Sequence, residues 1–434
     1  MEYLMTLGRS VRRTVRPAIV AAMVLTVVGF VANPVAFAGD SNRGGDQHWV
    51  GTWSTSPGGV GQAFADQTLR EIVHISIGGD WLRVRFSNSF GTESLVIDAA
   101  SIGIQGAGAA VVPGSLRELT FGGDPSVTIP PGARIFSDPV KLTVGDEEDL
   151  AVSLYVAEDT GGSTVHNAAH QTSFISPGNL TAAMDMPGID NTTSWFWLTG
   201  VEVWAHRNTR AVVTLGDSIT DGTASTTDAD ARYPDWLARR LLDRFKGKVA
   251  VLNEGIGGNR ILNDGNEGGF IFGVNAQARL DRDVLTQSGV THVILLEGVN
   301  DIGFPDFEPP ILPNPFPVTA DEIIAGYKQI IERVHTRGLK ILVGTILPYK
   351  KAAYWTPEGE VRRQTVNNWI RTSNEHDGVV DFDKAIRDPN DPEMMLPIFD
   401  SGDNLHPNDV GYAAMADAVK LKLLKPGNRD GDDD

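Results

Sequence analysis

A chain of 434 residues, 41% aliphatic or aromatic and 21% charged, is too apolar for general disorder and too long for one hydrophobic core, so two folded domains are expected. A formal charge of −18 opposes nucleic-acid phosphates and anionic lipid headgroups, so neither is expected as a partner. The absence of cysteine excludes a thiol nucleophile, a disulfide framework and thiolate metal sites.

The chain opens with Arg9, Arg12, Arg13 and Arg16, continues with the apolar run "AIVAAMVLTVVGFVA" at 18–32, and reaches the small-x-small site Ala36-Phe37-Ala38. This is the layout of a secretory signal peptide over 1–38, and the run is short for a membrane span. An uncleaved anchor is the alternative, and Arg12-Arg13 hints at twin-arginine export although the residues after it fit that signal poorly. Cleavage after Ala38 removes four arginines and Glu2 and leaves a charge of −21. The expectation is a secreted protein with no stable membrane association, beginning with a flexible leader at 39–47.

Residues 48–206 carry short β-type runs broken by Gly and Pro: "WVGTWST", "REIVHISI", "WLRVRFSN", "ARIFSDPVKLTV", "DLAVSLYVA" and "TSWFWLTGVEVW". In "WLRVRFSN", Leu82, Val84 and Phe86 alternate with Arg83, Arg85 and Ser87, the period of a half-buried strand. No amphipathic helix is read here, and an antiparallel β-sandwich accessory domain, jelly-roll-like, is expected.

From 207 to 426 apolar strands alternate with helices. Strands are expected at 211–215, 249–253, 292–297, 340–345 and 379–382. Helices are expected at 234–245, with proline in the first turn, and at 320–335, with Ile323, Ile324, Tyr327, Ile330, Ile331 and Val334 on one face. Such alternation calls for right-handed crossovers and a parallel sheet, an α/β domain whose ligands bind beyond the carboxyl ends of the strands. The first three strands lead at once into "GDSITDG", "EGIGGNR" and "GVNDIG". The terminal "NRDGDDD" makes 427–434 an acidic, solvated tail, with weak cation binding as a minor alternative.

Acyl transfer through serine needs a hydroxyl, a base within about 2.6–3.2 Å, a group orienting that base, and donors for the oxyanion. Ser218 in "GDSITDG" is the candidate hydroxyl, although Gly, Asp and Ser also make ordinary turns. Among the nine histidines, His74, His166 and His170 fall in the β half and read as structural. His292 and His335 sit on regular elements, and His48, His206 and His376 flank elements without a partner pattern. His406 in "DSGDNLHPNDVGY" has Asp403 three residues earlier, a spacing that on a tight turn brings a carboxylate to Nδ1 and leaves Nε2 free. Asp400 competes with it at a worse spacing, and a solvated turn before a helix remains the other reading. Gly258 can offer an unobstructed backbone N–H and Asn300 a side-chain amide, which with the Ser218 N–H gives three donors from three loops.

The blocks "GDSITDG", "NEGIGGNR", "GVND" and "DNLHPN", in this order over roughly 207–425, resemble the SGNH hydrolases, also called the GDSL esterase/lipase family. The resemblance implies a flavodoxin-like three-layer α/β/α domain. It implies Ser218 as nucleophile and first oxyanion donor, Gly258 and Asn300 as further donors, His406 as base and Asp403 as its orienting carboxylate. Ile219 stands where the family name has leucine. The β half lies outside the minimal hydrolase domain, although secreted two-domain members with a "HWVGTWSTSP"-like start are similar to this chain. The elbow Gly-x-Ser-x-Gly is absent, since Thr220 follows where the second glycine would stand, and this disfavours the other lipase fold.

A secreted serine esterase for short-chain or acetyl esters, small or linked to polysaccharide, is therefore expected, with no cofactor and no metal. "GGFIFGVN" and "FPDFEPPILPNPFPV" are expected to rim the site with apolar walls, to take an acyl or aromatic group or simply to pack together. The alternatives are a lipase or lysophospholipase for longer acyl chains, and a catalytically inactive glycan-binding protein. The β half either binds glycan or only frames the site.

Overall fold

The computed structural model describes residues 46–425 except 188–189, 267, 308–309, 311 and 313–315. The expected signal peptide, residues 39–45 of the leader and the acidic tail lie outside the described residues. The last leader residues are ordered by pairing: Gln47 begins a strand opposite His206, and the Arg207 N–H donates to the Asp46 carbonyl at 2.5 Å. Among the described residues, no helix is long and apolar enough to cross a membrane.

The β half builds two large antiparallel sheets that share one core, with a small three-stranded sheet (Trp195–Phe196, Ser163–His166, Gly59–Gly61) and a two-stranded one (Leu95–Ile97, Val127–Ile129) beside them. The first runs Gln47–Ser54, Leu198–His206, Gly79–Ser87, Val140–Val144, with Arg134–Phe136 also paired to Gly79–Ser87. The second runs Asp190–Thr192, Ser173–Pro177, Gln67–His74, Asp149–Val156, Ala99–Ile104, Arg117–Leu119. Alternation decides which side chains meet: Leu150, Val152 and Leu154 enter the main core with Leu82, Val84 and Phe86, while Ala151 and Ile72 face a smaller cluster with Phe174 and Met186. The run "ARIFSDPVKLTV" becomes two strands, because Pro139 lacks the N–H that would continue the ladder.

Five parallel strands follow: Arg210–Gly216, Val249–Gly255, Val290–Leu296, Lys340–Gly344 and Gly378–Val380, in spatial order second, first, third, fourth, fifth. The fifth is shorter than its apolar run, because the Asp381 side chain caps helix Phe382–Ile386 and Phe382 leaves the strand. Helices Tyr233–Phe245, Phe382–Ile386 and Asp409–Ala418 pack together as one group, and Ala320–Thr336 and Pro357–Thr372 as another. Ala320–Thr336 starts at a capping box of Thr319 and Glu322 and buries Ile323, Tyr327, Ile330, Ile331 and Val334. Ile324 is only half-buried, and Gly326 takes its place on the buried face.

The two halves belong to one compact unit. Val249–Gly255 is an edge of the parallel sheet, and the β half covers it. The Val251 N–H donates to Ser76 Oγ at 3.1 Å, and a Cβ on Gly51 would come within 2.8 Å of Leu252. Glycine at 51 is what lets strand Gln47–Ser54 lie this close.

Candidate active site

Ser218 opens the one-turn helix Ser218–Asp221 directly after the first parallel strand. Asp217 caps that turn by accepting the Ile219 N–H at 2.9 Å, and Gly222 closes it at φ +105°. Gly216 is required here, since a Cβ would lie 2.5 Å from the Leu296 carbonyl. Burial pushes the Asp217 carboxyl above its ordinary range, with the Ile219 N–H and His406 opposing.

His406 Nε2 lies 2.8 Å from Ser218 Oγ, and its Nδ1 lies 2.6 Å from Asp403 Oδ2. With Nδ1–H donating to the carboxylate, Nε2 carries the lone pair that accepts the serine proton. The other Asp403 oxygen accepts the N–H groups of Leu405 and His406, each at 2.8 Å, so a three-residue turn orients both ring and carboxylate. Burial alone would raise the Asp403 carboxyl, but the His406 ring and these two amides outweigh it and hold it well below the usual range. Asp400 does not reach the ring: it accepts from the Gly402 and Asn404 N–H groups and shapes the turn.

Gly258 stands at φ +75°, and a Cβ there would lie 2.5 Å from the Phe272 ring. Its loop is tied to the nucleophile segment by the Ile256 N–H to the Gly216 carbonyl at 3.0 Å and by the Asn253 amide to the Thr220 carbonyl at 2.9 Å. Asn300 lies in the short helix Val299–Gly303, launched by Gly298 at φ +109°, and is 3% exposed. Its Nδ2 donates to the Asn259 carbonyl at 3.0 Å, so one of its two amide hydrogens is spent on the second loop. Ser218, Gly258 and Asn300 thus stand beyond the carboxyl ends of three adjacent strands.

Several supporting residues escaped the sequence reading. Arg279, fully buried, donates to the carbonyls of Gly216 at 2.9 Å and Glu254 at 2.7 Å, to Ser56 Oγ at 2.9 Å and to Asn259 Oδ1 at 2.9 Å. One guanidinium thereby fastens the ends of the first two strands to the oxyanion loop. Asp301 accepts the N–H groups of Ile261 and Leu262, joining the second and third blocks, and burial pushes its pKa up to about 6 against those bonds. The opening "WSTSP" also acquires a purpose: Ser54 and Ser56 each donate to Glu254 at 2.5 Å. A serine-rich stretch some 200 residues away carries no local signal of this.

The expected apolar wall is aromatic where it is described. Phe270 stacks on Phe272 at 4.7 Å, Phe272 on Phe304 at 5.6 Å, and Phe304 meets Tyr354 edge-on at 5.9 Å. Six residues of the proline-rich run after Phe304 lie outside the described residues.

His74, Asp149 and Asp230 are the metal-ligand type side chains brought together among the described residues. Both ring nitrogens of His74 are engaged, by Asp149 at 2.7 Å and Glu147 at 3.3 Å. Burial disfavours its charge, but these carboxylates outweigh burial and push its pKa up to about 10. With carboxylates at both ring nitrogens, His74 is the cationic centre of an acidic cluster.

Residues 214–414 match the GDSL-like Lipase/Acylhydrolase family, a span that contains Ser218, Gly258, Asn300, Asp403 and His406. Among curated proteins none matches the sequence. Similar solved structures include an acetyl xylan esterase, with 22% identity, TM-score 0.36, and coverage of 48% of this chain and 96% of that one. A carbohydrate acetylesterase family member from Sinorhizobium meliloti has 18% identity and TM-score 0.38, over 50% of this chain and 99% of that one. A GDSL-like lipase from Bacteroides thetaiotaomicron has 17% identity and TM-score 0.35, over 50% and 88%.

Proposed function

From the premise that residues 214–414 belong to the GDSL-like lipase/acylhydrolase family, which makes the chain a carboxylic ester hydrolase, we propose a serine esterase working through an acyl-enzyme on Ser218. The observation that carries this reading is the relay Ser218 Oγ, His406 Nε2, His406 Nδ1, Asp403 Oδ2, with steps of 2.8 and 2.6 Å.

In the first half-reaction His406 takes the Ser218 proton as Oγ attacks the ester carbonyl. The oxyanion is met by the N–H groups of Ser218 and Gly258 and by the remaining amide hydrogen of Asn300, and His406 returns its proton to the departing alcohol. Water, deprotonated by His406, then cleaves the acyl-enzyme. Asp403 stays ionised and stabilises the imidazolium in both halves. A donor of this kind contributes about 3–4 kcal/mol to the barrier reduction. Neither a cofactor nor a metal enters these steps.

For the substrate we favour short-chain or acetyl esters, small or carbohydrate-linked. The support is the crowding of the oxyanion loop, where the Phe272 ring leaves no room for even one added carbon on Gly258. A longer acyl chain is the second reading, favoured by the stacked aromatic wall of Phe270, Phe272 and Phe304 beside the Gly258 loop. Secretion, a flavodoxin-like three-layer arrangement around the second-first-third-fourth-fifth strand order, and a jelly-roll-like sandwich for the β half complete the reading.

The test is Ser218→Ala against wild type across a p-nitrophenyl acyl series, with acetylated xylan and a lysophospholipid alongside, and fluorophosphonate labelling of both proteins. We expect labelling at Ser218, loss of turnover in the variant, and the highest kcat/KM at acetate or butyrate. Undiminished turnover by Ser218→Ala would overturn the mechanism, and a maximum at long acyl chains would favour the second reading.

A further inference from the structure

The four hydrolase blocks do not account for a histidine of the β half buried against the nucleophile turn. His166 ends strand Ser163–His166, is 3% exposed, and sets its ring 5.4 Å from that of Trp195. Its Nδ1–H donates to the Ser56 carbonyl at 2.9 Å, and its Nε2 lies 3.1 Å from Asp221 Oδ1, an ion pair held by charge and proximity whose angle falls outside hydrogen-bond geometry. Burial disfavours charge on the ring, but Asp221 together with the Ser56 carbonyl outweighs burial and raises its pKa. A ring that donates at Nδ1 and faces a carboxylate at Nε2 is an imidazolium matched to that carboxylate.

Asp221 is the last residue of the turn that Ser218 begins, and its second oxygen accepts the Gly257 N–H at 3.0 Å. Gly257 immediately precedes the oxyanion donor at 258. The loop 255–258 has three glycines in four residues, so its backbone has little intrinsic preference and must be fixed from outside. Close approach supplies part of this, since a Cβ on Gly255 would lie 2.2 Å from the Asp221 nitrogen. The Asp221 carboxylate supplies the directional part, and a carboxylate with one oxygen free to swing would hold the Gly257 N–H poorly.

We propose that His166 is a positioning residue for ester hydrolysis: by clamping Asp221 it fixes the Gly257–Gly258 peptide, and so a side chain of the β half tunes the oxyanion hole. This rests on the serine-esterase reading above. The clamp acts on a donor used after attack begins, so its loss lowers kcat and leaves KM nearly unchanged.

His166→Phe keeps ring volume against Trp195 and removes both donors. The measurements are kcat and KM for p-nitrophenyl acetate, thermal unfolding, and inhibition by phenylboronic acid, whose tetrahedral Ser218 adduct places an oxygen in the same hole. We expect kcat to fall about 10- to 100-fold with KM within about twofold, and boronate affinity to fall in parallel. Asp221→Ala should give a comparable fall, and the double variant no more than the larger single effect. Should His166→Phe fail to fold, His166→Gln is measured in the same way. Wild-type kcat and boronate affinity in a folded His166 variant would overturn the clamp, as would full additivity with Asp221→Ala. If wild type neither labels with fluorophosphonate nor cleaves any ester, the esterase reading fails instead, and the two failures are distinguishable.

Discussion

Tyr354 donates its buried phenolic O–H to Asn300 Oδ1 at 3.2 Å, a bond across 54 residues of sequence. Together with the Asn300 Nδ2 bond to the Asn259 carbonyl, it decides which end of the amide is oxygen and which is nitrogen. A rotated amide would present an acceptor to the developing oxyanion. Tyr354→Phe keeps the ring against Phe304 and removes only this bond. We expect kcat to drop about tenfold at little change in KM. Steady-state kinetics on a p-nitrophenyl ester decide it, and an unchanged kcat would show that Asn300 is oriented without Tyr354.

Asp403 is held ionised well below the usual carboxylate range, and its side chain is 48% exposed. Asp403→Asn preserves the turn but offers the ring an amide in place of a carboxylate, favouring the wrong tautomer. A loss of about 10³- to 10⁴-fold in kcat is expected. Because the Asp403 carboxyl does not titrate in the assay range, the wild-type rate profile should show no acid limb from it. Stopped or continuous assays between pH 5 and 9 test both statements.

Glu254 accepts from Ser54, Ser56 and Gln287 in a fully buried position between the two halves. Glu254→Ala strands three buried donors at once. The loss should be on the order of 3 kcal/mol or more in urea unfolding, against about 1 kcal/mol for Ser54→Ala alone. Equal effects of the two substitutions would mean that the network relaxes around the gap.

The His74 cluster sets an alkaline limit on stability. Its folded pKa of about 10 lies above the ordinary 6.5, so its contribution is complete below pH 6.5 and is lost as pH rises through 10. Burial pushes its partner Asp230 up to about 6, and protonation there weakens the pair on the acid side. The melting temperature of wild type should therefore exceed that of His74→Asn most between pH 6 and 7, with the gap closing towards pH 10. Parallel melting curves at all pH values would count against this assignment.

The sequence made the parallel sheet readable because its strands are buried on both faces and carry unbroken runs such as "AVVTL" and "HVILL". The four site blocks were readable because Ser, Gly, Asn and His stand beside chain turns that follow such runs. What stayed hidden was long-range polar pairing. Asp403 could be matched to His406 across three residues, whereas Arg279 finds Ser56 across 223 and His166 finds Asp221 across 55. Periodicity records which face of an element is apolar, and it carries no record of which buried charge another segment will satisfy. His166 accordingly read as one more histidine of a β-rich half, and Tyr354 lies outside every block that the sequence marks as part of the site.

Strand Gln47–Ser54 lies along Val249–Gly255, at the free margin of the parallel sheet. Cut the chain at residue 206 and that margin would present unpaired amides and apolar side chains to water, next to a Glu254 stripped of both serines. An exposed sheet margin of this kind is a template for sticking to another copy. The hydrolase half is thus poorly suited to transplantation as a free module: expressed alone, it should be recovered mainly as aggregate, and co-expression with residues 39–206 should return it to solution.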